Sequence, residues 1–112
     1  MKQILVLGAG HIGSAIARML AATGDYAVTL ADRAPGRLFR APGVTPLAID
    51  GADSAALRAA MRGKFAVLFA GPFYLAAETA EAAKAAEVHY LDLTEDVAVS
   101  YTHLTLPTNR EV

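Results

Sequence analysis

The apolar residues follow two patterns along the chain: continuous runs and helical spacing. Continuous apolar runs, rich in β-branched residues, predict buried strands at residues 3–7, 27–32, 44–50, 65–70 and 88–93. Helical spacing predicts helices over residues 11–23, 53–63 and 74–87, whereas residues 33–43 contain two prolines and two glycines and are expected to form a loop with one helical turn. Strands that alternate with helices are typical of βαβ units. The pattern therefore predicts an α/β fold with a Rossmann-like, doubly wound parallel sheet of about five strands.

Individual residues refine the predicted elements. Pro46 cannot donate a hydrogen bond to a sheet ladder, so it weakens the third strand or places it towards an edge. The second helix is expected to begin with a cap at Asp53 or Ser54. In the first helix, helical spacing is seen for Ile12, Ile16, Met19 and Leu20, and the buried face of the second helix is expected to consist of Leu57, Ala60 and Met61.

The composition limits the kind of protein. The chain has 112 residues, one domain at most, and its 54% hydrophobic and 19% charged residues can bury a sizeable core. A formal net charge of −1 argues against a nucleic-acid partner and gives no attraction to anionic membranes. The absence of cysteine excludes disulfide scaffolds and thiolate metal sites, and no apolar stretch reaches the roughly 20 residues of a membrane span. We therefore expect a cytoplasmic protein without nucleic-acid or membrane partners.

A glycine-rich motif joins the first strand to the first helix. Residues 8–13 read G-A-G-H-I-G, and Asp32 follows at the end of the next strand. In this context G-x-G-x-x-G predicts dinucleotide binding: Gly8 permits the tight turn, Gly10 lets the backbone approach a pyrophosphate, and Gly13 allows close helix packing. The helix N-terminus then offers free amides to the phosphates. We expect His11 to be a partly exposed loop residue rather than a catalytic one.

The residues around the end of the second strand leave the choice of cofactor open. Asp32 is expected to accept hydrogen bonds from the adenosine ribose, which favours NAD. Arg33, Arg37 and Arg40 follow directly, and an arginine here can hold a 2′-phosphate or stack on adenine, which favours NADP. These arginines are equally compatible with a solvated loop. The expected cofactor is NAD(P), with the two forms unresolved.

Three further segments lie at predicted strand ends. Asp50 is expected either to approach the adenine edge or to cap the following turn. The A-G-P-F sequence at residues 70–73 fits a turn that lines the cofactor crevice, and equally a simple strand-to-helix turn. Residues 92–96 contain three carboxylates, for which a capped turn is favoured over a divalent-cation site. We therefore expect no metal.

Two segments of the chain together resemble the N-terminal NAD(P)-binding domain of the saccharopine dehydrogenase-like family: KQILVLGAGHIGSAIARMLAATGDYAVTLADR at residues 2–33 and AVLFAGPFYLAAETAEAAKAAEVHYLDLTED at residues 66–96. The resemblance implies a parent oxidoreductase that passes hydride between nicotinamide and the carbon of a C–N bond in an amino-acid-like substrate. It carries over Gly8, Gly10, Gly13 and Asp32 as cofactor contacts and residues 71–73 as a nicotinamide-side turn. The segment between the second and third strands is shorter than in many relatives.

The expected cofactor-binding residues are, in full, Gly8, Ala9, Gly10, His11, Ile12, Gly13, Asp32, Arg33, Asp50, Ala70, Gly71, Pro72 and Phe73. No catalytic residue is identified. Because such enzymes need a second, substrate-binding domain, this fragment alone is expected to be inactive. Two alternatives remain, an NAD(H)-sensing Rossmann regulatory domain without catalysis and another enoyl or amino-acid reductase of the same superfamily.

The domain organisation follows from the extent of the resemblance. Residues 1–98 are expected to form a partial NAD(P)-binding domain, whose incomplete sheet offers an edge for association into a homo-oligomer. Residues 99–112 have no helical period and contain Pro107. This tail is unassigned, and it resembles the translation of a sequencing-library adapter, so we expect non-native sequence there.

Overall fold

The fold is an alternation of strands and helices, seen in a computed structural model that describes residues 1–93. These residues form β1 (Lys2–Leu7), α1 (His11–Ala22), β2 (Tyr26–Asp32), β3 (Val44–Ala48), α2 (Ser54–Met61), β4 (Ala66–Phe69), α3 (Ala76–Ala85) and β5 (His89–Asp92). Short 3₁₀ turns occur at Pro35–Arg37 and Phe73–Leu75. The predicted strands and helices are confirmed to within a few residues, as is the single helical turn in the loop after β2.

The strands form one parallel sheet in the order β3-β2-β1-β4-β5. The chain starts in the centre, builds the sheet outward through β2 and β3, and then returns to the other side of β1 for β4 and β5. The predicted Rossmann-like, doubly wound fold is confirmed. Leu7 at the end of β1 is paired with Ala31 and with Phe69, so the carboxyl ends of the central strands coincide. The direction in which strands are added to the sheet reverses between β1 and β4, and this reversal opens a crevice at the carboxyl ends of the strands.

The prediction about Pro46 is confirmed because β3 is an edge strand of the described sheet. Pro46 lies opposite Leu30 of β2, and its missing amide interrupts no ladder on the outer side. β3 ends at Ala48, two residues earlier than expected, so that Asp50 belongs to the connection to α2.

Helices cover both faces of the sheet. The helices α2 and α3 pack on one face, where Leu57, Met61 and Ala83 contact the sheet core that includes Leu5 and Phe69. The helix α1 packs on the other face over Val6 and Leu30. Asp53 is the N-cap of α2, and its carboxylate accepts a hydrogen bond from the Ala56 amide at 3.1 Å, which decides between the two predicted caps.

The buried face of α1 is centred on small residues rather than on the largest apolar ones. Gly13 and Ala17 are the buried residues of this helix, with Ile16 and Leu20 packed beside them. Ile12 and Met19, which share the helical spacing, are instead 38% and 64% exposed. At Gly13 the physical reason is the close approach of α1 to the turn after β1, because a Cβ there would overlap the carbonyl oxygen of Gly8.

The helix predicted over residues 74–87 begins later than expected. The Leu75 amide donates to the Pro72 carbonyl at 3.0 Å, an i→i−3 bond that makes the first turn a 3₁₀ turn, and α3 itself starts at Ala76. Within residues 1–93, no helix is long and apolar enough to cross a membrane. The strand β5 lies at the other edge of the described sheet, and association through this edge remains a prediction.

Candidate functional site

A cavity of about 450 Å³ opens at the carboxyl ends of the strands. Its walls come from the turn between β1 and α1, the loop after β2, the connection after β3 and the turn after β4. The predicted site residues that line it are Gly8, Gly10, Asp32, Arg33, Asp50, Ala70, Gly71 and Pro72. Residues far apart in sequence therefore meet at the crevice that the sheet topology creates.

The turn after β1 requires glycine at two positions. Gly8 has a φ of +104°, and a Cβ there would lie 2.6 Å from the carbonyl oxygen of Ala70. A Cβ on Gly13 would overlap the carbonyl oxygen of Gly8. These contacts bring the turn against β4 and the helix against the turn, as the glycine spacing predicts.

Gly10 serves a different purpose from the other two glycines. A Cβ at Gly10 would meet no atom within 4 Å among the described residues, and the residue lines the cavity. The missing side chain therefore leaves open space on the cavity side rather than relieving a clash inside the protein. Such a space admits the close approach of a ligand to the main chain.

The start of α1 faces this open space. Gly10 is the N-cap and provides no side-chain hydrogen bond to the helix, while its carbonyl accepts from the Ser14 amide at 2.9 Å. The amides of the first helical turn, residues 11–13, have no acceptor within the helix, which gives this end a partial positive charge. Main-chain amides that have no acceptor within the helix, next to an open space, are suited to binding a diphosphate group.

Asp32 at the end of β2 is held by main-chain amides. One carboxylate oxygen accepts a hydrogen bond from Ala9 at 2.7 Å, and the other accepts from Ala34 at 2.8 Å. Its half-buried carboxylate thus connects the glycine-rich turn to the loop after β2 and still borders the cavity. Each carboxylate oxygen has a second lone pair with which it can accept from a ribose hydroxyl.

Two arginines and two aspartates line the cavity. Arg33 and Arg37 are exposed and line it, whereas Arg40 does not. Asp50 also lines the cavity, and its carboxylate accepts from the Ala52 amide at 2.9 Å, so it caps the turn and borders the crevice at once. Both interpretations of Asp50 are therefore compatible with its position.

The turn after β4 closes the cavity on its other side. Gly71 and Pro72 lie on the cavity wall, and a Cβ on Gly71 would come within 3.0 Å of the Phe69 ring. Phe73 follows in the 3₁₀ turn, and its side chain lies outside what the structure describes.

Four predicted site residues do not line the cavity: Ala9, His11, Ile12 and Gly13. Ala9 is only 6% exposed and packs in the core beneath α1. His11 and Ile12 are exposed, and their amides belong to the open helix start. Contact between any of the predicted residues and a cofactor remains a prediction.

Sequence reasoning missed one wall of the cavity. The additional lining residues include Ile49, Gly51, Tyr74, Leu75 and Thr79. Within residues 1–93, Thr79 is the polar residue that is buried, and a threonine within an alanine-rich helix is the signal that could have drawn notice; its hydroxyl donates to the Leu75 carbonyl at 2.8 Å. The others carry no signal in sequence, because their convergence depends on how the connections before α2 and α3 fold.

Tyr90 illustrates a perturbed group that serves the fold rather than the site. Burial raises the pKa of its hydroxyl, and the nearby charge of Asp92 raises the pKa further. The hydroxyl therefore stays protonated at neutral pH and donates to the Ala76 carbonyl at 3.3 Å, connecting β5 to α3.

The acidic cluster predicted at residues 92–96 lies mostly beyond the described part of the chain. Asp92 ends β5, but Thr94, Glu95 and Asp96 are outside the described residues. Among residues 1–93, no group of three or more metal-ligating side chains comes together.

Comparisons with known proteins agree with this geometry. Residues 4–111 match the family described as the saccharopine dehydrogenase NADP binding domain. This match runs through most of the tail at residues 99–112, so the predicted domain boundary at residue 98 stays a prediction. A comparison with curated proteins gives no significant match.

Solved structures share the fold. A Rossmann-fold NAD(P)-binding family protein from Shigella flexneri is 28% identical with a TM-score of 0.70, covering 80% of this chain and 50% of that one. Saccharopine dehydrogenase (L-Glu forming) from Saccharomyces cerevisiae is 23% identical with a TM-score of 0.76, covering 82% and 21%. Uronate dehydrogenase from Agrobacterium tumefaciens, a Y136A mutant complexed with NAD, is 29% identical with a TM-score of 0.60, covering 76% and 37%. The chain thus spans half or less of these proteins.

Proposed function

Because the chain belongs to the saccharopine dehydrogenase NADP-binding domain family, we propose that it is the cofactor-binding part of an oxidoreductase that acts on a C–N bond of an amino-acid-like substrate. The cofactor class follows from the family, whereas the substrate class is our proposal. The family match favours this function over an NAD(H)-sensing regulatory domain and over other reductases of the superfamily.

One observation supports the proposed position of the cofactor. The uncapped start of α1 and the open side of Gly10 border the same cavity as Asp32. A diphosphate placed at the helix start would position the adenosine half of a dinucleotide near Asp32, Arg33 and Asp50. The nicotinamide ring of the bound cofactor supplies or accepts the hydride. In this proposal the residues of this chain bind and orient the cofactor.

We further propose that the site prefers NADP(H) to NAD(H). Both carboxylates that line the adenosine side, Asp32 and Asp50, already accept main-chain amides, which offset part of their negative charge. Arg33 and Arg37 are exposed at the same cavity, where a planar guanidinium can hold a 2′-phosphate by paired hydrogen bonds. The arginines therefore outweigh the carboxylates at this position.

Fluorescence titration tests the cofactor proposal directly. NADPH and NADH are themselves fluorescent, so binding is followed by the change in their emission as protein is added. We expect saturable binding of both cofactors, tighter for NADPH. The absence of any saturable binding would contradict the proposed function, and tighter binding of NADH would contradict the preference alone.

The arginines provide the first prediction. Replacing Arg33 and Arg37 together with alanine is expected to weaken NADPH binding by roughly tenfold or more, because charge-assisted hydrogen bonds contribute about 1.5–3 kcal/mol before solvent screening. NADH binding should change by less than about twofold, since it lacks the 2′-phosphate. Arg40→Ala is the matched control, because Arg40 lies on the same loop but outside the cavity. Equal losses for both cofactors would contradict a 2′-phosphate contact.

Asp32 provides the second prediction. Asp32→Ala should weaken NADH more than NADPH, because NADH offers a 2′-hydroxyl that the carboxylate can accept from, whereas the 2′-phosphate offers none. A loss common to both cofactors is also expected, since Ala9 and Ala34 lose their acceptor. The decisive quantity is the ratio of the two dissociation constants, and an unchanged ratio would contradict the ribose role.

The substrate proposal requires a longer protein that includes this domain. We propose that such a protein oxidises NADPH when a carbonyl compound and an amino acid are supplied together, which forms a new C–N bond. The carbonyl compound alone serves as the control. Equal oxidation of NADPH without the amino acid would mean that the carbonyl group itself is reduced, at its C–O bond, and would overturn the proposed substrate class.

A further inference from the structure

Both peptide groups that flank Ala9 are held by hydrogen bonds from other parts of the chain. Its amide donates to the Asp32 carboxylate at 2.7 Å, and its carbonyl accepts the Ser14 hydroxyl at 3.0 Å. The side chain between them is only 6% exposed and packs in the core. Ala9 is therefore fixed from three directions although it does not line the cavity.

The hydrogen bond from Ser14 to the Ala9 carbonyl also affects the direction of the Gly10 amide. The carbonyl of Ala9 and the amide of Gly10 belong to one peptide group, which is planar, and in the trans form its C=O and N–H point in opposite directions. No cis peptide bond occurs in the described chain. By holding the oxygen of this group towards α1, Ser14 directs the Gly10 amide away from itself. Gly10 lines the cavity, so the orientation of this amide matters for a ligand there.

We propose that Ser14 is a positioning residue for the diphosphate of the cofactor. Its hydroxyl orients the Ala9–Gly10 peptide before the cofactor arrives, so that less conformational freedom is lost on binding. Ser14 touches no cofactor atom in this proposal and acts through the main chain alone. The inference rests on the proposed function, because it assumes that a dinucleotide occupies the cavity.

A merely structural role for Ser14 predicts a different result. A serine near a helix start that only stabilises the fold should affect every ligand of the site to the same extent. A residue that orients the Gly10 amide should affect ligands that contain a diphosphate and leave others unchanged. Adenosine 2′-monophosphate has the adenine, ribose and 2′-phosphate of NADPH but no diphosphate, so it separates the two roles.

The experiment measures binding of NADPH and of adenosine 2′-monophosphate, the latter by displacement of NADPH, to the 112-residue chain and to its variants. Ser14→Ala is expected to weaken NADPH by roughly three- to tenfold, the range that corresponds to the loss of one hydrogen bond. Binding of adenosine 2′-monophosphate should stay within about twofold. Ser14→Thr keeps the hydroxyl and should bind NADPH like the unmodified chain.

The matched control is Thr23→Ala at the other end of α1. Its hydroxyl also donates to a main-chain carbonyl, that of Leu20 at 2.8 Å, but Thr23 does not line the cavity. This variant should leave both affinities unchanged. Unchanged NADPH binding in Ser14→Ala, or an equal loss for both ligands, would overturn the inference and leave the proposed function intact. An unmodified chain that fails to bind NADPH would overturn both.

Discussion

Gly10→Val is expected to abolish dinucleotide binding while the chain keeps its fold. A Cβ at this position meets no described atom within 4 Å, so a side chain placed here begins in open space, and we expect the fold to be kept. It instead occupies the space between the main chain and the cavity, where the diphosphate must approach the helix amides. We expect NADPH affinity to fall by roughly a hundredfold or more, since several charge-assisted hydrogen bonds are lost together.

The measurement pairs a binding titration with thermal unfolding. Ala15→Val is the control, because Ala15 is exposed on the same helix and does not line the cavity. Both variants should melt within a few degrees of the unmodified chain, and only Gly10→Val should lose binding. Retained NADPH affinity in a folded Gly10→Val chain would show that the diphosphate lies elsewhere, and the assignment of the turn would then be wrong.

Much of the fold could be predicted from the sequence because local rules and burial agree there. Continuous apolar runs mark strands buried on both faces, and all five predicted strands are present. Pro46 marks an edge strand for the chemical reason that it lacks an amide. Asp53 caps α2 because its carboxylate can reach the amide of Ala56. In each case the signal is a single residue or a short run of residues, so it can be read without knowing which distant parts of the chain meet.

The buried face of α1 could not be predicted from hydrophobicity. Ile12 and Met19 are large and apolar but exposed, whereas Gly13 and Ala17 are small and buried. Which stripe faces the sheet depends on how closely the helix approaches, and that distance is set by the contact of Gly13 with Gly8. Reading the third glycine of the motif as the centre of the buried stripe would have given the correct face.

Some features of the candidate site could likewise be predicted from the sequence, and others could not. The glycine-rich turn and Asp32 could be placed because their spacing in sequence is characteristic. That Asp32 accepts hydrogen bonds from Ala9 and Ala34 could not be predicted, because these contacts depend on the register between β1 and β2. The wall formed by Ile49, Leu75 and Thr79 likewise arises only when the connections after β3 and β4 meet.

Gly13→Ala is expected to destabilise the fold strongly. The added Cβ would overlap the carbonyl oxygen of Gly8 and lie 2.9 Å from its carbonyl carbon. Both atoms belong to the main chain, so no side chain can rotate to make room. Gly8 itself is held, because its amide donates to Ala31 at 2.8 Å and its other side abuts Ala70. Relief therefore requires α1 to move away from the sheet and give up burial of Ala17 and its neighbours.

We expect Gly13→Ala to lower the free energy of unfolding by about 3 kcal/mol, the upper range for overpacking against a rigid neighbour. For a domain of this size, that corresponds to a melting temperature lower by on the order of 15 °C. Gly36→Ala is the matched control, because a Cβ there meets no described atom within 4 Å and its φ is not positive. That variant should be neutral or more stable by up to about 1 kcal/mol, since alanine restricts the unfolded chain. Equal melting temperatures for the two variants would mean that α1 does not rest on the Gly8 carbonyl. The helix start would then have no fixed position from which its amides could bind a diphosphate.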